Sequence, residues 1–259
     1  MGDPSLDFVV VIPARYASTR FPAKALADIA GKPMIQRVYE QATKSKAREI
    51  IVATDDERIA SVVKGFGGAS CLTSKAHNSG TDRVQEVTEI IGFSEEQIIV
   101  NVQGDEPLIP PDAINQVARE LIANDAQIAT LAEVITEVTD FRNPNVVKVV
   151  LDEEGYALYF SRAPIPFLRT DEEVQATLPK NDMAHALKHR GIYAYTVSLL
   201  NKFITLGESG PEKIEKLEQL RALGHGINIY VGISKLSIPQ GVDTEQDLNR
   251  VVQVIERKV

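Results

Sequence analysis

Arg15, Arg20 and Lys24 crowd a loop of small and hydroxylated residues that follows a short apolar run, Phe8 to Ile12. Backbone N–H groups and guanidinium forks in such a loop can point at phosphate oxygens, so this is a place to hold a polyphosphate. A further cation, Lys32, stands just before the next helical stretch. The same charges would also suit a solvated basic loop. Asp105 lies directly beyond a second apolar run, in Gln103-Gly104-Asp105-Glu106-Pro107. Mg²⁺ takes one or two carboxylates together with phosphate oxygens and water, which makes Asp105 a candidate ligand as well as a turn or capping carboxylate. Glu106 could equally face solvent.

Asp243 precedes Thr244-Glu245-Gln246-Asp247. Either Asp243 caps the following helix with Gln246, or Thr244 and Asp247 form the capping box and leave Asp243 for a metal. His189 and Tyr193 sit on one face of a predicted strand and could line a pocket together, although a strand histidine is also an ordinary core residue. Glu218 and Gln219 fall in a predicted helix, Glu215 to Arg221, where adjacent side chains diverge by about 100° and an exposed surface is the plain reading. Cys71 has no histidine beside it in sequence, so covalent thiol catalysis is not expected.

The elements that must position these groups alternate. Phe8 to Ile12 reads as a strand buried on both faces and ended by Pro13, which has no N–H to donate. A helix opens at Pro33, a strand covers 49–53, and Thr54-Asp55-Asp56 caps a helix to about Phe66. A weak strand at 69–72, a polar loop at 77–83 and a helix to about Ile91 follow. Then come a strand at 98–102, a helix from Pro110 to about Asn124, and strands at 128–134 and 146–151. The latter pairs with 157–161 in an antiparallel hairpin. Arg169 to Leu187 is irregular and reads as a mobile loop. A strand at 189–195, helices at about 197–207 and 212–223, a strand at 227–233 and a helix at about 244–257 complete the chain. The pattern predicts one domain spanning 1–259 with an α/β, Rossmann-like fold. Its central sheet is mostly parallel and flanked by helices, with a mixed, antiparallel elaboration after residue 128. Neither Gly-x-Gly-x-x-Gly nor Gly-Lys-Ser/Thr follows the first strand, which leaves dinucleotide and Walker-type sites unsupported.

The 259 residues carry a net charge of −8, which disfavours nucleic-acid and anionic-membrane partners and makes the cationic loop a local feature of an acidic protein. The single cysteine excludes an intrachain disulfide and fits a reducing compartment. No apolar stretch approaches the roughly 20 residues of a membrane span, so a cytoplasmic protein is expected.

From end to end the chain resembles the 3-deoxy-manno-octulosonate cytidylyltransferases (CMP-Kdo synthetases) of Gram-negative bacteria. The resemblance rests on Val-Ile-Pro-Ala-Arg-Tyr-Ala-Ser-Thr-Arg at 11–20, Ser-Gly-Thr-Asp-Arg at 79–83 and Val-Asn-Val-Gln-Gly-Asp-Glu-Pro at 100–107. Tyr-Ala-Leu-Tyr-Phe-Ser-Arg-Ala at 156–163, Leu-Glu-Gln-Leu-Arg at 217–221 and Gly-Val-Asp-Thr at 241–244 extend it. It implies a Mg²⁺-dependent transfer of CMP from CTP to 3-deoxy-manno-octulosonate (Kdo), with release of pyrophosphate, for lipopolysaccharide synthesis. By the same resemblance Arg15, Lys24, Thr81, Arg83 and Gln103 would hold the nucleotide, with Lys24 also in the catalytic group. Asp105 and Asp243 would coordinate Mg²⁺, and Arg162, His189, Tyr193, Glu218 and Gln219 would face the sugar acid. A homodimer is likewise implied.

Two departures stand out. The family usually carries glycine where this chain has Ala23, which matters if that position needs a positive φ. Lys188-His-Arg-Gly and Leu220-Arg-Ala-Leu-Gly-His-Gly also differ from commoner forms beside the implied sugar pocket, leaving 8-amino-Kdo as an alternative acceptor. Another sugar nucleotidyltransferase and a non-catalytic nucleotide-binding regulator are the remaining alternatives.

Overall fold

A run such as Phe-Val-Val-Val-Ile is stable as a strand only where both faces are covered. In the computed structural model, which describes residues 6–17, 21–77, 79–167 and 186–257, it forms β1 (Phe8–Ala14), with every residue but Pro13 buried. Arg20 and the irregular stretch expected at 169–187, apart from its last two residues, lie outside the described residues.

Parallel to β1 run β4 (Glu49–Thr54) on one side, followed by β5 (Ala69–Leu72), and β6 (Ile98–Asn101) on the other. Alternate β1 side chains enter two separate cores. Phe8, Val10 and Ile12 pack with α1 (Met34–Ala42), α2 (Glu57–Gly65) and α4 (Pro111–Ala123), while Val9 and Val11 pack beneath α3 (Gly80–Ile91). α4 shows why these segments are helical. Ala113, Ile114, Val117, Ala118 and Leu121 form one apolar stripe, and Pro111 stands in the first turn, where its missing N–H costs nothing. A small hairpin, β2 (Asp28–Ile29) with β3 (Lys32–Pro33), links β1 to α1.

Pro13 does not end its strand. Val11 accepts from Val102 N–H and Phe8 accepts from Arg48 N–H, so odd-numbered residues of β1 turn their backbone toward β6 and even-numbered ones toward β4. Pro13 therefore lacks its donor on the β6 side, beyond that strand's end at Asn101, and the ladder to β4 continues through Ala14.

The chain after residue 128 supplies β7 (Ile128–Val134), β8 (Lys148–Leu151), β9 (Ala157–Ser161), β10 (Leu187–Thr196) and β11 (Tyr230–Ile233). The sheet order is β11-β7-β10-β6-β1-β4-β5, with the β8–β9 hairpin joined to the start of β10. Antiparallel pairing is thus central rather than peripheral: β10 lies between β6 and β7, reversed with respect to both. Its first half projects past the carboxyl end of β6, because Tyr193 pairs with Asn101 and the residues before Tyr193 extend beyond it.

After the short α5 (Val138–Arg142) and α6 (Val197–Phe203), the helix expected at 212–223 divides into α7 (Gly210–Glu215) and α8 (Gln219–Gly224). The break is Lys216, which takes a left-handed φ of 53° and lets Leu217 turn into the core. α9 (Glu245–Glu256) is capped by Thr244, whose hydroxyl accepts from Asp247 N–H while the Asp247 carboxylate accepts from Thr244 N–H. Of the two capping schemes, this is the one that turns Asp243 elsewhere.

Candidate active site

The carboxyl ends of β1 and β6 open on a cleft of about 330 Å³ bounded by the β1 loop, the start of α3 and the loop after β6. Gly104 allows those loops to touch: a Cβ there would stand 2.7 Å from the Pro13 carbonyl oxygen. Arg15 is exposed on the rim, and Lys24 begins a short 3-10 turn after Ala23, which holds φ 56°. The position where the family carries glycine is therefore left-handed.

Lys24 Nζ stands 2.5 Å from Asp105 Oδ2 and 3.4 Å from Asp243 Oδ1. One ammonium thus gathers two carboxylates from distant parts of the chain at the cleft floor, beside Gln103. No cluster of three or more His, Cys, Asp or Glu side chains suited to a metal occurs among the described residues. Two hard carboxylate oxygens facing a space that would hold phosphates are nevertheless the donor set Mg²⁺ uses, so Asp105 and Asp243 fit it. Lys32 is not part of the cleft and pairs with Glu40 at 2.7 Å.

Helix α3 begins earlier than expected, so Thr81 and Arg83 belong to it rather than to a loop. Ser79 caps it reciprocally with Asp82, and Ser79 and Gly80 face the cleft. The Arg83 guanidinium pairs with Asp55 at 2.9 Å and also donates to Thr73, tying α3 to the ends of β4 and β5 from the cleft wall. The Thr81 hydroxyl is not turned to the cleft; it donates to Glu218 Oε2 at 2.6 Å.

Beside the cleft, β10 and the start of α8 form a second polar wall. His189 packs edge-on against Phe160 and tilted against Tyr193, with Nε2 3.1 Å from the Thr130 hydroxyl. Burial, and then the Arg190 charge, bring its pKa down to about 3. Burial raises the Tyr193 hydroxyl well above the usual phenol value, with Tyr195 and Glu218 adding to it. Among the described residues the buried side-chain atoms without a hydrogen-bond partner are Asn101 Oδ1, Glu106 Oε2, Tyr193 OH and Glu218 Oε1. Asn101 and Tyr193 pair directly across β6 and β10 and so share a face. Polar atoms buried without partners beside a cleft await a polyhydroxylated ligand or water.

Glu218 is therefore not an exposed helical residue, and Gln219, partly buried, begins α8. Glu106 does not simply face solvent: burial, and then Asp105, push its carboxyl up to about 8. Arg162 is committed elsewhere, donating to the carbonyls of Glu215 at 2.7 Å and Pro144 at 3.0 Å, where it braces the segment leading to α8. Arg190 forks onto Glu133 with both contacts at 2.8 Å. Burial raises the Cys71 thiol, as does Glu86, which disfavours a thiolate nucleophile. Asn101 and Thr130 escaped the sequence reading. Their polar side chains at buried positions of largely apolar strands, β6 and β7, were the available signal.

The cytidylyltransferase family model matches residues 9–229. The 3-deoxy-manno-octulosonate cytidylyltransferase of Cellvibrio japonicus (strain Ueda107) is 55% identical over 257 residues, covering 97% of this chain and 99% of its own. That of Aliivibrio fischeri (strain MJ11) is 54% identical over 252 residues, covering 97% and 100%. The solved structure of CMP:2-keto-3-deoxy-manno-octonic acid synthetase complexed with CTP is similar with a TM-score of 0.88 and 41% identity, covering 98% of this chain and 100% of that one. A Leptospira borgpetersenii cytidylyltransferase, at 15% identity and a TM-score of 0.58, shares the fold. The chain thus belongs to the cytidylyltransferase family and, within it, to the 3-deoxy-manno-octulosonate cytidylyltransferases.

Proposed function

We propose that the protein transfers CMP from CTP to the anomeric hydroxyl of Kdo, giving CMP-Kdo and pyrophosphate, and that Mg²⁺ is required. The observation that carries this reading is the union of Lys24, Asp105 and Asp243 on the floor of a cleft whose neighbouring wall holds His189, Tyr193 and Glu218. The first group suits a triphosphate, and the second suits an uncharged polyol face.

The chain's own residues have little covalent work to do, because phosphoryl transfer depends chiefly on positioning and charge neutralisation. Arg15 and Lys24 would neutralise the phosphate oxygens, and the N-terminus of α3 would turn backbone N–H groups toward them. Asp105 and Asp243 would hold Mg²⁺, which when bound neutralises phosphate charge and makes the attacking hydroxyl more acidic. Neutral His189, the Tyr193 hydroxyl and the Glu218 carboxylate would orient the sugar acid so that its hydroxyl meets the α-phosphorus in line with the departing pyrophosphate.

Exposed Leu158 and Tyr159 on β9 support a homodimer formed through that hairpin, which light scattering would test. A cytoplasmic location is part of the same reading; no described helix is long and apolar enough to cross a membrane.

The test is pyrophosphate release with CTP and Mg²⁺, comparing Kdo, 8-amino-Kdo and a sugar 1-phosphate. The highest kcat/KM is expected with Kdo. Preference for the amino sugar would change the acceptor. Release only with the sugar phosphate would overturn the reading.

A further inference from the structure

We infer that Thr81 is a positioning residue for the acceptor rather than a nucleotide ligand, holding Glu218 in the orientation the sugar acid requires. The assignment rests on the acceptor reading above. Thr81 is the second residue of α3 and 2% exposed, and the one proton of its hydroxyl is donated to Glu218 Oε2 at 2.6 Å across a separation of 137 residues. A hydroxyl that spends its proton on a carboxylate has no donor left for a phosphate oxygen.

The state of Glu218 gives the contact its meaning. Glu218 stands at the start of α8 with helical φ −59° and ψ −35°, and its side chain makes no bond to that helix. Its Oε2 turns to Thr81 instead, and its Oε1 is buried with no partner among the described residues. Oε1 thus stands unpartnered on the wall shared with Tyr193, whose hydroxyl is also unpartnered and raised in pKa partly by Glu218. Removing the Thr81 hydroxyl leaves Oε2 without that donor and releases the carboxylate from the orientation it holds on the wall. Because Ser79 and Gly80, immediately before Thr81, face the nucleotide cleft, the start of α3 would meet the nucleotide at its tip and set the acceptor wall through its second residue.

The experiment compares the wild-type enzyme with Thr81→Val, Thr81→Ser and Thr81→Ala. Initial rates of pyrophosphate release are measured with each substrate varied, and CTP affinity is measured separately by calorimetry. The loss of a hydrogen bond to a charged group predicts a roughly 10- to 100-fold rise in KM for Kdo in the valine and alanine variants. The KM and affinity for CTP should stay within about twofold of wild type, and serine should restore the acceptor KM. Alanine keeps the test intact should valine disturb the packing of α3. Weakened CTP binding with an unchanged acceptor KM overturns the assignment and returns Thr81 to the nucleotide. Unchanged constants for both substrates also overturn it. A wild-type enzyme that binds CTP but makes no product with Kdo sinks the acceptor reading instead, and that outcome is distinct from either of the others.

Discussion

Lys24 Nζ and Asp105 Oδ2 stand 2.5 Å apart although 81 residues separate them, and the same ammonium lies 3.4 Å from Asp243 Oδ1. Replacing Asp105 by Asn leaves Lys24 paired with Asp243 and removes half of the charge available to a divalent ion. Turnover should fall by about 100-fold or more with the fold intact, as judged by pyrophosphate release beside thermal unfolding. Near-normal turnover in a folded variant would take Asp105 out of the mechanism.

Ala23 occupies the left-handed region at φ 56° immediately before Lys24. A side chain there costs about 1–2 kcal/mol, and the greater freedom of glycine in the unfolded chain offsets part of the relief that removing it would bring. Ala23→Gly should therefore stabilise the protein by up to about 1 kcal/mol in urea unfolding. Destabilisation would show that the alanine methyl makes packing contacts worth more than the strain.

Glu106 carries a carboxyl pushed up to about 8, against 4.5 for the ordinary group, by burial and by Asp105. The native state then keeps a proton that the unfolded chain has released. Its contribution to stability is complete below pH 4.5 and is lost as the pH rises toward 8. In metal-free buffer the urea midpoint should fall over that interval, and Glu106→Gln should flatten the fall. Parallel curves for the two proteins would show that Glu106 is ionised in the native state throughout.

His189 behaves in the opposite sense. With its pKa brought down to about 3 by burial and Arg190, the ring is neutral near pH 7, so the proposed contact with the acceptor would be made without supplying a proton. The stabilising difference is present above pH 6.5 and disappears as the pH falls through about 3. His189→Asn should raise the acceptor KM about 10-fold, consistent with one or two lost polar contacts, and leave the shape of the rate profile between pH 6 and 8 unchanged. A limb near pH 6.5 that vanishes in the variant would mean that the ring titrates during turnover.

Lys148 is fully buried, with its ammonium donating to the carbonyls of Asn143, Val146 and Arg162 at 2.9, 2.5 and 2.6 Å. Burial, then Arg162, lowers its pKa. Lys148→Met would leave those carbonyls without their shared donor and should cost about 3 kcal/mol or more in urea unfolding. A variant as stable as wild type would mean that water replaces the ammonium.

Much of the scaffold was legible because its signals are local. The β-branched run of β1, the apolar stripe of α4 and the Thr244–Asp247 box each depend on neighbours within a few residues. Asp105 was visible as a carboxylate directly beyond a buried strand. What escaped the sequence is non-local. Nothing around Lys216 announces a left-handed break, since glycine or asparagine would be the usual marker, so Glu218 read as helical surface. Its contact with Thr81 joins two segments that no periodicity relates. Pro13 misled for a geometric reason, because a proline is harmless when its absent donor faces a side with no strand.

The reversed strand β10 and the late arrival of Asp243 also bear on how the protein is made. A nascent chain that has emerged only through Asp105 holds the cationic loop and the first of the two cleft-floor carboxylates, but neither Asp243 nor β10. Once β7 has followed, it still cannot join the sheet, because the strand that bridges it to β6 begins only at Leu187. The pairing of Lys24 with both carboxylates therefore waits for nearly the whole chain and is completed only when the residues just before α9 dock against Lys24.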